Sequence, residues 1–184
     1  MLNLNFHPFP TITTDRLMLR EVKVDDKHEI FFLRSNEGVL KYLDREPSPS
    51  IEEALETIDR ITTSLKNNDS ILWGIVLKET KKVIGTISYW RMEKTHFRAE
   101  IGYVLHPSFH GKGIMQEAIA AVIKYGFDEM KLHSIEAKVN PSNQASIKLL
   151  ERNGFVREGY FREDYHFNGK FLDTGVYSLL TPHK

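Results

Sequence analysis

Apolar residues along this chain recur with two periods. In several segments they alternate with polar residues or form short apolar runs, which is typical of β-strands with one or two buried faces. We predict seven such strands, at Arg16–Val22, Ile71–Lys78, Lys82–Met92, Phe97–Leu105, His133–Asn140, Val156–Phe167 and Lys170–Leu180.

Four other segments have the spacing or the end signals of helices. Asp25 or Asp26 can cap the first, because a carboxylate accepts unpaired backbone N–H groups. Ser50 and Glu53 form the sequence of a capping box at the second. Gly154 is a helix-ending glycine at the last. The four segments are Asp26–Ser35, Ile51–Lys66, Ile114–Phe127 and Pro141–Phe155.

The order of the elements predicts the fold class. A strand, two helices, three strands, a helix, a strand, a helix and two strands suggest an α/β (mixed α+β) protein, with helices on both faces of a mixed sheet. Asn168 and Gly169 predict a type I′ hairpin turn between the last two strands. A chain of 184 residues is expected to form one domain, 1–184, since domains cluster at ~100–200 residues.

Composition excludes several classes of function. Lys plus Arg equals Asp plus Glu at 25 each, which argues against binding nucleic acid or anionic membranes by bulk charge. There is no cysteine, so disulfides, thiolate zinc sites and a cysteine nucleophile are excluded. The start "MLNLNFHPFP" lacks the pattern of a signal peptide, and no apolar run is long enough to span a membrane. We therefore expect a cytoplasmic protein.

The segment "LHPSFHGKGIMQEA", Leu105–Ala118, carries the first sign of a binding site. Gly111 and Gly113 allow close approach to the backbone just before a helix begins at Ile114. The N-terminus of a helix carries roughly half a positive charge and unpaired N–H groups, so it can hold a phosphate. Lys112 is not followed by Ser or Thr, and the glycine spacing fits neither a P-loop nor a dinucleotide fingerprint.

The longer segment "YVLHPSFHGKGIMQEA" resembles the acetyl-CoA motif of the GNAT superfamily of N-acetyltransferases, Arg/Gln-x-x-Gly-x-Gly/Ala. His110 stands at the Arg/Gln position, Gly113 at the invariant glycine, and Met115 replaces the last Gly/Ala. The resemblance implies that main-chain N–H groups hold the pyrophosphate of acetyl-CoA. The cofactor-binding residues expected in this segment are His110, Gly111, Lys112, Gly113, Ile114 and Met115.

Three further segments are similar to the ribosomal-protein N-acetyltransferase branch of that superfamily. They are "TTDRLMLREVKVDD" at Thr13–Asp26, "NPSNQASIKLLERNGFVREG" at Asn140–Gly159, and the final hairpin with "NGKFLD". The resemblance therefore covers nearly the whole chain. It implies a three-layer fold with a mixed, mostly antiparallel, seven-stranded central sheet. It also implies a gap between two strands that receives the pantetheine arm, paired with the main chain of Tyr103, Val104 and Leu105.

The same resemblance places candidate catalytic groups. A main-chain N–H of Val104 or Leu105 would polarise the thioester carbonyl. Glu100 would accept the proton of the amine through water, although a solvated strand glutamate is the alternative interpretation. A weak base suits an α-amine, because at pH 7 ~10–15% of a group with pKa ~7.8 is neutral, against less than ~0.1% of a lysine.

On the leaving-group side, many superfamily members use a tyrosine seven residues after a helix-opening asparagine. Counted from Asn143, that position is Leu150, so this general acid is missing. Ser146 matches a serine that the ribosomal-protein branch is proposed to use for the leaving sulfur. A supporting role at the helix start is the alternative for Ser146. Asn143 is expected to cap that helix and to contact the cofactor arm.

Other polar and aromatic residues carry weaker hypotheses. His106 and His110 are four positions apart, but Pro107 prevents a helix that would join them as metal ligands, so no metal site is predicted. Tyr89, Trp90 and Phe97 could line an acceptor groove, although strand aromatics more often belong to the core. The pair "ED" in the final hairpin, at 163–164, could attract a cationic acceptor or simply be solvated.

The sequence thus predicts transfer of an acetyl group from acetyl-CoA to a primary amine, by direct attack in a ternary complex. The resemblance favours the N-terminal α-amine of a protein, with ribosomal proteins as one source. The alternatives are a small amine (a polyamine, an amino acid or an antibiotic) as acceptor, and a non-catalytic sensor of acetyl-CoA. Homodimerisation is left open by the sequence.

Overall fold

The computed structural model describes residues 1–182. They form one eight-stranded sheet with the order β1-β2-β3-β4-β5-β6-β8-β7. Every neighbouring pair is antiparallel except β5 and β6, which are parallel. The strands are β1 Ile12–Thr13, β2 Leu17–Glu21, β3 Ile71–Leu77, β4 Val83–Glu93, β5 Arg98–Leu105, β6 Ser134–Val139, β7 Val156–Phe167 and β8 Lys170–Leu180.

Helices cover both faces of this sheet, as the sequence predicts. Ile30 of the first helix and Ile58 of the third pack with Val22 on one side. Val122 of the fourth helix and Leu150 of the fifth belong to the main core on the other. The helices are α1 Lys27–Ser35, α2 Glu37–Leu40, α3 Ile51–Lys66, α4 Ile114–Asp128 and α5 Gln144–Arg152.

All seven predicted strands are present, but the strand count was wrong by one. The additional strand β1 has two residues, and Ile12 pairs with Leu19 while Thr13 pairs with Met18. The short helix α2 was also missed. Segments of two to four residues are too short to show a period of either kind, so the pattern of apolar residues could not predict them.

Local turn signals were more reliable. Asn168 and Gly169 both have positive φ angles, 47° and 73°, and connect β7 to β8 as a type I′ turn requires. Gly154, with φ 83°, follows α5 as predicted. Its N–H donates to the Glu151 carbonyl at 3.0 Å, which satisfies one of the unpaired carbonyls at the end of the helix.

The predicted helix caps of α1 and α3 need correction. Ser50 precedes α3, but its side chain makes no capping hydrogen bond to the helix. Asp26 precedes α1, yet its carboxylate accepts the Lys23 N–H at 2.8 Å and pairs with the Arg20 guanidinium at 2.7 Å. A 3-10 turn over Val24–Asp26 leads into α1 and redirects the carboxylate away from the helix.

The face of α4 that the sequence predicted to be apolar is the face that packs on the sheet. Met115, Ala118, Ile119 and Val122 are buried, and Ile123 is partly buried against the same core. Within residues 1–182, no helix has both the length and the hydropathy that crossing a bilayer would need.

Candidate active site

The site begins at a gap between the two parallel strands. β5 and β6 are paired only from Arg98 to Glu100, where Glu100 lies opposite Glu136. Beyond that point β5 continues to Leu105 and β6 to Val139 without pairing. The facing backbone groups of the two strands are therefore left without partners in the other strand, which is the gap that the sequence resemblance implies.

Strand geometry decides which backbone groups face this gap. The His106 N–H donates to the Ile84 carbonyl on the β4 side at 2.8 Å. Because N–H and C=O groups change sides at each successive residue of a strand, Val104 also faces β4, and Tyr103 and Leu105 face the gap. The Leu105 carbonyl accepts a hydrogen bond from His110 Nε2 at 3.0 Å, which leaves the Leu105 N–H directed at the gap.

The segment between β5 and α4 has the form of an anion site. Gly111 and Gly113 both have φ 72°, a left-handed conformation that favours glycine. The first hydrogen bond at the start of α4 runs from the Glu117 N–H to the Gly113 carbonyl at 3.1 Å. The amides of Ile114 and Met115 therefore lack helical partners, and the helix dipole adds to their attraction for an anion.

A contact that the sequence did not predict holds this segment in place. Arg16 donates to the Lys112 carbonyl at 2.9 Å and to Glu117 at 2.6 Å. Glu117 also accepts the Thr14 hydroxyl at 2.6 Å. Burial acts to raise the pKa of Glu117, but these hydrogen bonds outweigh it and keep the pKa below its usual value. The loop is thus fixed to the first strands of the sheet by an ionised carboxylate.

A cavity of about 590 Å³ opens beside the gap. Five of the predicted site residues line it, which are Glu100, Tyr103, Val104, Asn143 and Ser146. The other predicted cofactor residues lie outside this cavity, along the segment from the end of β5 to the start of α4. They are Leu105, His110, Gly111, Lys112, Gly113, Ile114 and Met115. The predicted site is therefore elongated, with the loop of Gly111 and Gly113 at one end and the cavity at the other.

Glu100 is the buried carboxylate of the cavity, with 7% of the residue exposed. It lies on the same side of the sheet as Trp90, its partner in β4. Arg91 donates to its Oε2 at 3.2 Å. Burial raises the pKa of Glu100, although the nearby cations of Arg91 and Lys138 act in the opposite direction. The result is a carboxylate that accepts a proton more readily than an exposed glutamate.

Ser146 has a partner that the sequence did not reveal. Its hydroxyl lies 2.7 Å from the hydroxyl of Tyr103. Burial raises the pKa of Tyr103 to about 12, so the phenol stays protonated at any ordinary pH. The Ser146 N–H donates to Asn143 Oδ1 at 3.1 Å, so Asn143 is the N-cap of α5 as predicted. The cap and the phenol together fix the position of the serine hydroxyl.

Comparison with known proteins identifies the family of the chain. A model of the acetyltransferase (GNAT) domain matches residues 16–156. The chain belongs to the GNAT family. YoaA, an uncharacterized N-acetyltransferase of Bacillus subtilis, is 39% identical over 176 residues, which are 96% of this chain and 99% of that protein. This GNAT protein is thus an acetyl-CoA-dependent N-acetyltransferase, which confirms acetyl transfer as the activity predicted from the sequence.

Two solved structures show how widely the acceptors of similar GNAT proteins differ. Ribosomal-protein-S5-alanine acetyltransferase from Vibrio fischeri has a TM-score of 0.81 and 27% identity, and the match covers 93% of this chain and 96% of that one. Spermidine N-acetyltransferase from Vibrio cholerae, in complex with CoA and spermine, has a TM-score of 0.81 and 26% identity, with 91% and 96% covered. The fold is therefore shared by enzymes for protein and for polyamine acceptors.

The structure decides between the two interpretations of the strand aromatics, core or acceptor groove. Tyr89 is a core residue with no exposed surface, and its hydroxyl donates to the Val122 carbonyl at 3.0 Å. Trp90 is 39% exposed and lines the cavity, whereas Phe97 lies outside it. Of the aromatic residues considered for the acceptor groove, Trp90 is the one that the structure brings to the site.

The structure also decides between the two interpretations of the carboxylates in the final hairpin, and it favours solvated side chains. Glu163 and Asp164 are exposed and do not line the cavity. Asp173 and Tyr165 of the same hairpin do line it, and the Tyr165 hydroxyl donates to the Asp44 carbonyl at 3.2 Å. Neighbouring residues of a twisted, irregular hairpin point in different directions. Sequence position alone could therefore not show which carboxylate of the hairpin lines the cavity.

The two histidines near the loop have identified partners. His106 Nδ1 accepts the Ser108 N–H at 3.1 Å, and His110 is bound to Leu105. Within residues 1–182, no three His, Cys, Asp or Glu side chains lie close enough together to hold a metal ion. His110 therefore has a structural contact in the loop, and its predicted part in cofactor binding stays a prediction.

Proposed function

We propose that this GNAT enzyme acetylates the N-terminal α-amine of a protein, by direct attack of the amine in a ternary complex with acetyl-CoA. Glu100 carries the proposal, because it is a single buried carboxylate with a raised pKa at the point where β5 and β6 separate. An α-amine with pKa ~7.8 needs only such a modest base, whereas a lysine would need ~3.5 kcal/mol more to lose its proton at neutral pH.

The residues present fit a CoA molecule. The loop with the two left-handed glycines and the free amides at the start of α4 suits a pyrophosphate, and the unpaired edges of β5 and β6 suit an extended amide-containing arm. Acetyl-CoA supplies the activated acetyl thioester. Of the two candidate donors to the thioester carbonyl, we favour the Leu105 N–H, because Val104 faces β4.

Three side chains then assist the transfer of the acetyl group. Glu100 takes a proton from the amine through a water molecule, as the nitrogen forms its bond to the acetyl carbon. The carbon–sulfur bond breaks, and the Ser146 hydroxyl donates a hydrogen bond to the leaving thiolate, which then takes its proton from water. The Tyr103 phenol stays protonated and holds the serine hydroxyl in position, 2.7 Å away. A thiol has a pKa of ~8.5, so this assistance needs to be only modest.

The alternative acceptor is a small amine such as a polyamine. A polyamine carries several positive charges, so its site would be expected to have a clear excess of carboxylates. The charged residues that line the cavity do not show one, since four cations face three carboxylates. The cations are Arg34, Arg45, Arg91 and Lys138, and the carboxylates are Asp44, Glu100 and Asp173.

The proposal is tested by measuring the release of free CoA with matched acceptors. We expect turnover with peptides that begin with Ser or Ala, and little with the same peptides whose α-amine is blocked but which contain a lysine. Spermidine and free amino acids complete the panel. Turnover of spermidine without turnover of any peptide would contradict the proposal and establish the alternative.

A further inference from the structure

Two arginines stand out in the wall of the acceptor cavity. Arg34 lies in the last turn of α1, and Arg45 lies in the connection between α2 and α3. Both side chains are half-buried and both line the cavity that contains Glu100. They therefore face the space that an acceptor must enter, and not the loop that holds the pyrophosphate.

These arginines differ from the other arginine of the cavity in their partners. Arg91 forms an ion pair with Glu100. Among residues 1–182, by contrast, no carboxylate lies within ion-pair distance of Arg34 or Arg45. Arg34 has only a long hydrogen bond from Nε to Ser48 Oγ at 3.4 Å. Two guanidinium groups thus keep most of their donors available to the cavity.

The surroundings of Arg34 and Arg45 make their positive charges unfavourable unless an anion binds between or beside them. Burial lowers the pKa of Arg34 and of Arg45, and Arg45 and Arg60 lower that of Arg34 further by repulsion. Glu53 acts against this, but it does not line the cavity. A charge that is partly removed from water is stabilised mainly by a hydrogen-bonded counter-ion. A ligand carboxylate would supply one.

Two further carboxylates line the cavity, and neither forms an ion pair with Arg34 or Arg45 among residues 1–182. Asp173 accepts hydrogen bonds from the Tyr160 hydroxyl and from the Glu163 N–H, the latter at 2.9 Å. Burial raises the pKa of Asp44, and its backbone carbonyl accepts the Tyr165 hydroxyl at 3.2 Å. Neither carboxylate is therefore a counter-ion that occupies the donors of Arg34 or Arg45.

We infer that Arg34 and Arg45 bind a carboxylate of the acceptor, so that the preferred N-termini carry Asp or Glu within their first few residues. This inference rests on the proposed function, since it names a substrate class for the same cavity. Arginine is suited to the task, because its planar fork can donate two parallel hydrogen bonds to a carboxylate.

The test compares two peptide amides, Ser-Asp-Glu-Ala and Ser-Asn-Gln-Ala, together with free serine. CoA release gives kcat/KM for each acceptor. We expect the wild-type enzyme to prefer the acidic peptide by at least about tenfold, and Arg34→Gln or Arg45→Gln to reduce that ratio by about tenfold. Arg34→Lys should keep part of the preference. Arg152→Gln is the matched control, because Arg152 is exposed, lies outside the cavity and does not act on Arg34 or Arg45.

The possible outcomes separate the two proposals. Equal use of both peptides by the wild type, or an unchanged ratio in both glutamine variants, overturns the inference and leaves the proposed function standing. Use of free serine alone, lost in Arg34→Gln, supports carboxylate binding but contradicts a protein acceptor. If no acceptor is turned over, calorimetry measures the affinity of the enzyme–CoA complex for the acetylated form of each peptide. Equal affinities for the acidic and the amide peptide overturn the inference, and tighter binding of the acidic peptide supports it. CoA affinity checks that each variant is folded.

Discussion

At the scale of single residues, the chemistry depends on how much water each polar group retains. Glu100 is almost fully buried, and burial raises its pKa, while Arg91 and Lys138 prevent the shift from becoming larger. A carboxylate with a raised pKa is a better proton acceptor, but it is ionised only above that pKa. The rate is therefore expected to rise with pH as Glu100 loses its proton, and again as the amine does.

Replacing Glu100 with glutamine tests this role. Glu100→Gln should lower kcat/KM by about 10²-fold, with the largest loss below the pKa of the amine, where a base is most needed. The affinity for CoA should be nearly unchanged. The measurement is a pH–rate profile of both proteins with one peptide acceptor. An unaltered profile in the variant would remove Glu100 from the mechanism.

Stability supplies the control for that variant. The pKa of Glu100 is higher in the folded protein than in the unfolded chain, so ionisation of Glu100 opposes folding. The stability that this group contributes is fully present below its pKa in the unfolded chain, and it is lost as the pH rises through its pKa in the folded protein. Because glutamine does not ionise, the Glu100→Gln variant does not lose stability in this way. Its melting temperature near neutral pH should therefore be no lower than that of the wild type, and a large decrease would attribute lost activity to unfolding.

The Tyr103–Ser146 pair can be tested with a double-mutant cycle. Ser146→Ala and Tyr103→Phe should each lower kcat by about tenfold or less, because a thiolate leaves readily with little help. If the two hydroxyls act as one hydrogen-bonded unit, the double variant should be little slower than either single variant. Additive losses, or full activity in Ser146→Ala, would return the serine to a role in the start of α5.

At the scale of elements, the loop between β5 and α4 matters most, because its conformation exposes the amides at the helix start. Gly113 has a left-handed φ, which is the main constraint there, because an added Cβ would make only an ordinary contact with the Arg16 guanidinium at 3.5 Å. Arg16, from near the start of the sheet, stabilises the loop. The conformation of the loop thus depends on both the glycine backbone and the Arg16–Glu117 ion pair.

Gly113→Ala should weaken CoA binding by about tenfold, since an alanine in a left-handed conformation costs about 1–2 kcal/mol. Calorimetry with CoA measures this directly. Gly169→Ala is the control, because its φ of 73° nearly equals that of Gly113, at 72°, but it lies in the distant β7–β8 turn with open space around it. Equal effects of the two variants on CoA affinity would show that general strain, and not the loop, is responsible.

At the scale of the whole molecule, the position of the site follows from one irregularity of the sheet. The only parallel pair among the described strands, β5 and β6, separates after three residue pairs. Glu100 lies where pairing stops, and Tyr103 and Leu105 face the opening. Helices on both faces and the final hairpin then enclose the cavity, in which the Tyr165 hydroxyl contacts the Asp44 backbone.

The sequence predicted much of this because several signals are local. Asn143 as a helix cap, Gly154 after a helix and Asn168-Gly169 in a turn each depend on contacts within a few residues. It failed at Ser50, whose side chain does not cap α3 although the sequence fits a capping box. There, the orientation of the residue depends on how the preceding loop packs, and a short motif does not contain that information.

The sequence by itself determined the order of the strands and helices along the chain, the glycine loop before α4 and the family, because backbone preferences and short motifs act over a few residues. Only the tertiary structure decided which distant side chains meet. It joined Tyr103 to Ser146 across 43 positions and Arg16 to Glu117 across 101. It also left Arg34 and Arg45 without carboxylate partners among the described residues, since burial and packing, not sequence spacing, select the neighbours of a side chain.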